Sequence, residues 1–98
     1  MRVIFEEHSN KHGLTPEDII YAAEHMIESD EMRYKGGWYM RFTGRHDDAL
    51  MPAIGVVLKI KNGCLHVYHA GPGTDAFWNL PFEEWVEKTR RRTRNKKR

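Results

Sequence analysis

The side chains best suited to chemistry in this sequence are the cations, tyrosines and histidines of three alternating segments. Residues 38–43, 53–60 and 64–70 alternate as strands do, and neighbouring side chains of a strand point to opposite faces. If the apolar sets meet helices, the other face collects Tyr39, Arg41, Lys59, His66 and Tyr68. An open face of this kind can bind phosphate and stack a base. The alternative is an ordinary polar face of an antiparallel sheet.

The same face has the chemistry that cleaves RNA through its 2′-hydroxyl. That reaction needs a base, an acid and a positive group for the charge that develops at phosphorus. His66, Tyr68 and Arg41 fit these roles. His12 is a candidate to assist the acid or base. His69 is a further candidate because it stands at a strand end, although regular alternation places it on the apolar face of Leu65 and Val67. The candidate catalytic residues are therefore Arg41, His66, Tyr68, His12 and His69.

The C-terminal segment 90–98 (RRRTRNKKR) carries seven Lys or Arg among nine residues. Because the whole chain has a formal net charge of +2, residues 1–89 carry a net negative charge of five. A basic arm on an acidic body is typical of proteins that bind polyanions, since Lys and Arg release counterions from phosphate. A solvated end that aids solubility is the alternative. The candidate nucleic-acid-binding residues are Tyr39, Arg45, Lys59, Arg90, Arg91, Arg92 and Arg94.

A metal or other cofactor is not expected. The chain has six histidines and one cysteine, and no spacing among them matches a metal motif. His66 and His69 fall on opposite faces of a regular strand. Cys64 is interpreted as a small packing residue, and it cannot form an intramolecular disulfide.

The composition favours one folded domain. Ninety-eight residues can bury a single modest core, and 40% hydrophobic content with three Trp argues against disorder. No apolar run approaches the ~20 residues of a membrane span, and the N-terminus lacks the pattern of a signal peptide. We therefore expect a cytoplasmic protein without membrane contact, with a globular domain over residues 1–89 and a disordered basic tail over residues 90–98.

The order of predicted elements is a strand, a helix, a meander and a second helix. Residues 2–6 read as a strand. Thr15 and Pro16 start a helix over residues 15–28, whose apolar spacing buries Ile20 and Ile27. Residues 35–37 and 61–63 read as hairpin turns, and 79–88 as an amphipathic helix.

These elements predict an α+β fold, with an antiparallel β-meander of about four to five strands and helices packed on one face. The predicted core between helix and sheet consists of Ile20, Ile27, Val56, Leu58 and Val67.

Several short stretches resemble the BrnT-type toxin family. The opening of that family is similar to residues 3–7 (VIFEE), 11–14 (KHGL) and 16–19 (PEDI), and its meander is similar to 53–55 (AIG), the Gly63 hairpin and 69–72 (HAGP). Lys11, His12 and Gly13 match position by position. The Arg-rich strand end of the family is replaced here by residues 69–72, and residues after Thr74 have no counterpart.

The resemblance implies a RelE-like ribonuclease fold, cytoplasmic location and a protein antitoxin as partner. Together with the sheet face, it leads us to expect a toxin-type endoribonuclease of a toxin–antitoxin system that cleaves RNA without metal. A non-catalytic nucleic-acid-binding module is the first alternative, and a small interaction protein is the second. A homo-oligomer is also compatible with the sequence.

Overall fold

A computed structural model describes residues 2–6 and 9–95. The elements in chain order are β1 (Arg2–Phe5), α1 (Pro16–Glu24), β2 (Met26–Tyr34), β3 (Gly37–Gly44), β4 (Ile54–Lys61), β5 (Cys64–Pro72), α2 (Asp75–Asn79) and α3 (Phe82–Asn95). No helix among the described residues is both long enough and apolar enough to cross a membrane.

The strands form one sheet in the order β1-β5-β4-β3-β2. The meander from β2 to β5 is antiparallel throughout, and β1 joins its end parallel to β5. The two hairpins turn at Lys35-Gly36 and Asn62-Gly63, where all four residues have positive φ. This is the backbone that a two-residue hairpin turn requires. The predicted α+β meander of four to five strands is confirmed.

The main core lies between α1 and one face of the sheet. Ile19 and Ala22 of α1 are fully buried there against Phe42 and the aliphatic side chains of β4 and β5. The predicted burial of Val56, Leu58 and Val67 is confirmed, since each is at most 1% exposed.

The first helix begins as predicted and ends earlier. The Thr15 side chain accepts from the backbone N–H of Asp18, and the Asp18 carboxylate accepts from the N–H of Thr15, so a capping box starts α1. The helix ends at Glu24, and Met26 already belongs to β2. The prediction of a helix to residue 28 was therefore wrong, because pairing with β3 outweighs the helical spacing of these side chains.

The early end of α1 also changes the core. Ile20 is 36% exposed and Ile27 is 56% exposed, so neither belongs to the buried set predicted for them. Gly44 of β3 lies directly under the last turn of α1, where a Cβ would come within 2.1 Å of the Ala22 carbonyl oxygen. The helix therefore packs on the sheet through Ile19 and Ala22.

The second predicted helix, over residues 79–88, corresponds to α3, which begins at Phe82 and packs on the opposite face of the sheet, whereas the short α2 before it was not predicted. Pro81 lies in the break between α2 and α3, directly before the first residue of α3, where its missing N–H costs no helical hydrogen bond. Phe82 and Val86 of α3 are buried against Tyr39 in a cluster separate from the main core. The prediction that helices pack on one face was wrong, since α1 and α3 enclose the sheet from both sides.

The α3 backbone continues through Asn95, into the segment for which we expected a disordered tail. Lys96, Lys97 and Arg98 lie outside the described residues.

Two isoleucines test the boundary between α1 and β2. Ile19→Ala should lower the free energy of unfolding by about 2–5 kcal/mol, because a fully buried side chain is lost. Ile27→Ala should lower it by about 1 kcal/mol or less, because that side chain is mostly exposed on a strand. Urea unfolding followed by tryptophan fluorescence measures both. Equally large losses would show that Ile27 packs in the core.

Candidate functional site

A β-bulge between β4 and β5 determines the face that His69 presents. Val57 pairs with His69 and Leu58 with Val67, so Tyr68 is the extra residue of the bulge. Directly paired residues of antiparallel strands lie on the same face. His69 therefore shares the face of Val57 and is turned away from the main core, and the prediction that it shares the face of Val67 was wrong.

We call the sheet face opposite α1 the α3 face. It carries the paired residues Asp30, Arg41, Val57 and His69 in one row across the sheet, and Met32, Tyr39, Lys59 and His66 in the next. The alternation predicted for β3 and β4 is thus confirmed on this face, and one row brings together Tyr39, Lys59 and His66.

Arg41 is enclosed by the chain itself. Its Nη1 donates to the Leu80 carbonyl oxygen at 2.9 Å, and its Nη2 lies 3.6 Å from the Asp30 carboxylate. The guanidinium carbon is 4.7 Å from the Trp78 ring centroid and 4.9 Å from that of Phe82. With a side chain only 11% exposed, Arg41 holds α2 and α3 on the sheet.

The middle of the α3 face is not open. Tyr39 is 3% exposed because Phe82 and Val86 cover it. The expectation of an open face across which RNA would lie, with Arg41 and Tyr39 in contact with it, was therefore wrong. The hydrophobic side chains after Pro81 need an apolar surface, and this part of the sheet provides it.

The part of the α3 face over β5 remains accessible. His66 pairs directly with Lys59 across the β4–β5 ladder, and both are half-buried. The Nδ1 of His66 is 3.4 Å from a carboxylate oxygen of Glu6, which follows β1. The Lys59 ammonium lies 5.5 Å from the Tyr39 ring centroid. A carboxylate, an imidazole and an ammonium therefore lie on neighbouring strands in this part of the α3 face.

Two imidazoles, those of His12 and His69, approach each other further along β5. A Cβ placed on Gly71 would lie 3.1 Å from the Nε2 of His12 and 3.5 Å from the Nε2 of His69. The two Nε2 atoms are therefore no further apart than the sum of these distances. His12 is exposed and His69 is half-buried, so both can be reached from solvent.

The loop that carries His12 is held in place by its own hydrogen bonds. The Asn10 side-chain amide donates to the Leu14 carbonyl oxygen, and its Oδ1 accepts from the Leu14 N–H at 2.9 Å. Gly13 has a φ of +67°, which favours glycine. Before this loop, the Ala70 N–H donates to the Ser9 carbonyl oxygen, which ties the chain to β5. The loop thus sets His12 against Gly71 at the end of β5.

The ring of His69 is held by aromatic neighbours. Its centroid is 4.5 Å from that of Trp85 and 6.0 Å from that of Phe77. Trp85 is fixed in turn, since its Nε1 donates to the Phe77 carbonyl oxygen at 3.0 Å. The Lys88 ammonium lies 5.6 Å from the Trp85 centroid, which places a cation beside this tryptophan.

We call the accessible set along β5 the histidine strip. It consists of Glu6, Lys59, His66, His69 and His12. A general acid–base pair and a cation can be drawn from these residues, which is what cleavage through a 2′-hydroxyl requires.

The structure does not bring every candidate to the strip. Arg45 follows β3 on the side of α1, where its N–H donates to the His25 carbonyl oxygen. Tyr68 is half-buried at the bulge. The candidate arginines of the basic segment, Arg90, Arg91, Arg92 and Arg94, continue the α3 backbone beyond the turn anchored by Val86.

Sequence reasoning missed Glu6, Gly71 and Trp85 as parts of the site. Glu6 comes next to His66 because β1 runs parallel to β5, and the meander alone does not determine where β1 joins. The available signal for Gly71 was a glycine two residues after His69, which leaves room for another side chain. Among the described residues, no group of three or more His, Cys, Asp or Glu is arranged to hold a metal ion.

Arg41→Ala tests whether Arg41 is structural. It should lower the free energy of unfolding by roughly 2 kcal/mol or more, because a desolvated cation–π contact and a charged hydrogen bond are lost. Arg33→Ala is the matched control, since Arg33 lies over Trp38 at an exposed site and should cost about 1 kcal/mol or less. Urea unfolding measures both. An Arg41→Ala protein as stable as the wild type would show that Arg41 does not hold α2 and α3 on the sheet.

Comparisons with models of known families, with curated proteins and with solved structures found no match to this chain.

Proposed function

We propose that the protein is a toxin-type endoribonuclease that cleaves RNA without a metal ion, with His12 and His69 as its acid–base pair. The observation that carries this proposal is the approach of the two imidazoles over Gly71 at an accessible sheet end. Imidazole is the side chain most often used for proton transfer near neutral pH.

The reaction follows from what two imidazoles can do to an RNA backbone. One neutral imidazole takes the proton of a 2′-hydroxyl, and the oxygen attacks the adjacent phosphorus. The other imidazole, protonated, gives its proton to the departing 5′-oxygen. The products are a 2′,3′-cyclic phosphate and a 5′-hydroxyl, and a cation stabilises the charge at phosphorus in between.

The rest of the histidine strip supplies charge and orientation. Lys59 and His66 lie one row from His69 on the same face, where an ammonium can neutralise a neighbouring phosphate. Glu6 contacts the Nδ1 of His66 and so orients the ring. This placement differs from the sequence-based hypothesis, in which Arg41 and Tyr68 shared the chemistry with His66.

The basic segment of α3 is the proposed RNA contact. The helix is anchored by Phe82 and Val86, and its backbone then continues into a segment with seven cations. Lys and Arg side chains in this segment would neutralise the phosphates of a bound RNA. Trp85 offers an aromatic ring beside His69 on which a base could stack.

The toxin role rests on the resemblance of Lys11, His12 and Gly13 to the BrnT-type motif. In this proposal the protein acts in the cytoplasm, where its RNA is, and a cognate antitoxin protein is its partner. Expression of the chain alone should then arrest growth, and co-expression of a cognate antitoxin protein should relieve the arrest.

A non-catalytic nucleic-acid-binding module is the second candidate. It is favoured by the cover that α3 places over Tyr39 and Arg41, which leaves less of the sheet for a substrate. Salt-sensitive RNA binding without cleavage would select it, and an absence of binding even at low salt would select a small interaction protein.

Three substitutions test the catalytic pair. His12→Ala and His69→Ala should each slow RNA cleavage in EDTA by roughly 10²–10⁴-fold, the usual contribution of a general acid or base. Gly71→Ala should also slow it, because its Cβ displaces the His12 ring while the strand is kept. The wild type should show a bell-shaped pH dependence of kcat/KM, because one imidazole must be neutral and the other protonated.

His25→Ala is the control for these variants. His25 lies at the end of α1, stacked on Tyr21, on the other side of the sheet. Its loss should leave cleavage unchanged. Wild-type rates for both His12→Ala and His69→Ala would refute the pair, and loss of cleavage in His66→Ala alone would move the chemistry to the Glu6–His66 contact.

Removal of the basic segment tests RNA binding. A chain that ends at Thr89 should bind single-stranded RNA more weakly, and its affinity should depend less steeply on salt, because fewer phosphates are neutralised. The melting temperature should change little, since Phe82 and Val86 remain. A full-length chain with Gln at the seven cationic positions separates charge from helix length, and fluorescence anisotropy at several salt concentrations measures binding. Unchanged salt dependence in both would exclude this segment as the contact.

A further inference from the structure

A cavity of about 150 Å³ opens beside His12 at the end of the sheet. It lies between the locked loop of His12, the strand ends at Ile54 and Gly71, and the loop before β4. Apart from two imidazoles its walls are apolar or glycine, and the lining residues are His12, Leu14, His46, Met51, Pro52, Ala53, Ile54, Gly71 and Pro72.

The loop that forms the outer wall is held in place by its own hydrogen bonds. The Asp48 N–H donates to the Nδ1 of His46 at 2.9 Å, and the Met51 N–H donates to the Asp48 carbonyl oxygen at 3.0 Å. The Asp48 carboxylate also accepts from the Leu50 N–H. The Nε2 of His46 lies 3.8 Å from the carboxylate of Asp18, the residue that caps α1. The cavity is therefore preformed.

The size and lining of the cavity favour a flat, weakly polar ring. Imidazole rings and apolar walls accept a base by stacking and dispersion. A cavity of roughly 150 Å³ is the size that holds one benzene ring in a protein interior. A single six-membered ring fits this volume, whereas the second ring of a purine would extend out of it.

We propose that this cavity binds a pyrimidine base of the RNA, next to the phosphodiester that the His12–His69 pair cleaves. The inference rests on the proposed function, because it assigns the substrate preference of the same site. His12 and Gly71 belong both to the cavity and to the imidazole pair. A base seated in the cavity would therefore have its own ribose near His12, whose Nε2 approaches that of His69 over Gly71.

Binding is tested apart from cleavage. The probes are 3′-UMP and 3′-CMP, compared with 3′-AMP and 3′-GMP, and NMR follows the Met51 methyl group and the His46 ring protons. The pyrimidine nucleotides should shift both signals. Ala53→Phe, which fills the cavity, should weaken 3′-UMP binding by about tenfold or more, the scale of one lost stacking contact.

Two further variants keep the result interpretable. Met51→Ala truncates an exposed side chain of the cavity wall and leaves the buried core unchanged. Like Ala53→Phe, it should weaken 3′-UMP binding. Ala49→Phe makes the same change as Ala53→Phe in the same loop, at an exposed position outside the cavity, and should have no effect.

Cleavage of dinucleotides separates this proposal from the previous one. UpA and CpA should be cleaved about tenfold or more faster than ApA and GpA, and Ala53→Phe should remove the difference. Pyrimidine binding at Met51 and His46 without any cleavage would refute the ribonuclease proposal and leave the cavity assignment standing. Cleavage without base preference, or equal shifts with purine nucleotides, would overturn the cavity assignment alone.

Discussion

The extra residue in β5 is the constraint on which the candidate site depends. Without the bulge at Tyr68, regular alternation would turn His69 into the core with Val67, where an imidazole would be surrounded by apolar side chains. With the bulge, residues 64–67 keep the apolar side chains against α1 and His69 emerges on the opposite face. One inserted residue thus serves both the core before it and the site after it.

A second constraint joins the buried cation to that site. Arg41 donates to the carbonyl oxygen of Leu80, which stands in the break between α2 and α3 and has no helical partner of its own. Its guanidinium contacts the rings of Trp78 and Phe82, which lie on the two sides of that break. Because α3 begins at this point, Trp85 packs against His69. Arg41 acts on the site by positioning α3, and these contacts offset part of the cost of its buried charge, because its buried Nε has no hydrogen-bond partner.

The parts of the fold that the sequence predicts are those determined by neighbouring residues. Asn62-Gly63 specifies a tight hairpin, Thr15 and Pro16 start a helix, and Val56 and Leu58 alternate into the core. Each depends on backbone preferences or on side-chain period within a few positions.

The parts that it does not predict depend on contacts between distant segments. Met26 and Ile27 fit both a helix face and a strand, and the partner strand β3 decides between them. The bulge leaves no mark within β5, because it is visible only in the register with β4. The chemistry of Arg41 was identified correctly as that of a cation on the α3 face, but nothing near it in sequence shows that Trp78 and Phe82 will cover it.

The site is assembled where three constraints converge at one glycine. The Asn10 bonds fix the loop of His12, the bulge turns His69 outward, and the bare backbone of Gly71 lets both imidazoles approach. Proton transfer from a 2′-hydroxyl needs reacting atoms held within hydrogen-bond reach, and such positioning can supply much of a rate enhancement. A substrate held only by charge along α3 would slide along its phosphates. A base held in the cavity that shares His12 and Gly71 would fix one ribose against the pair, so the same glycine links recognition to chemistry.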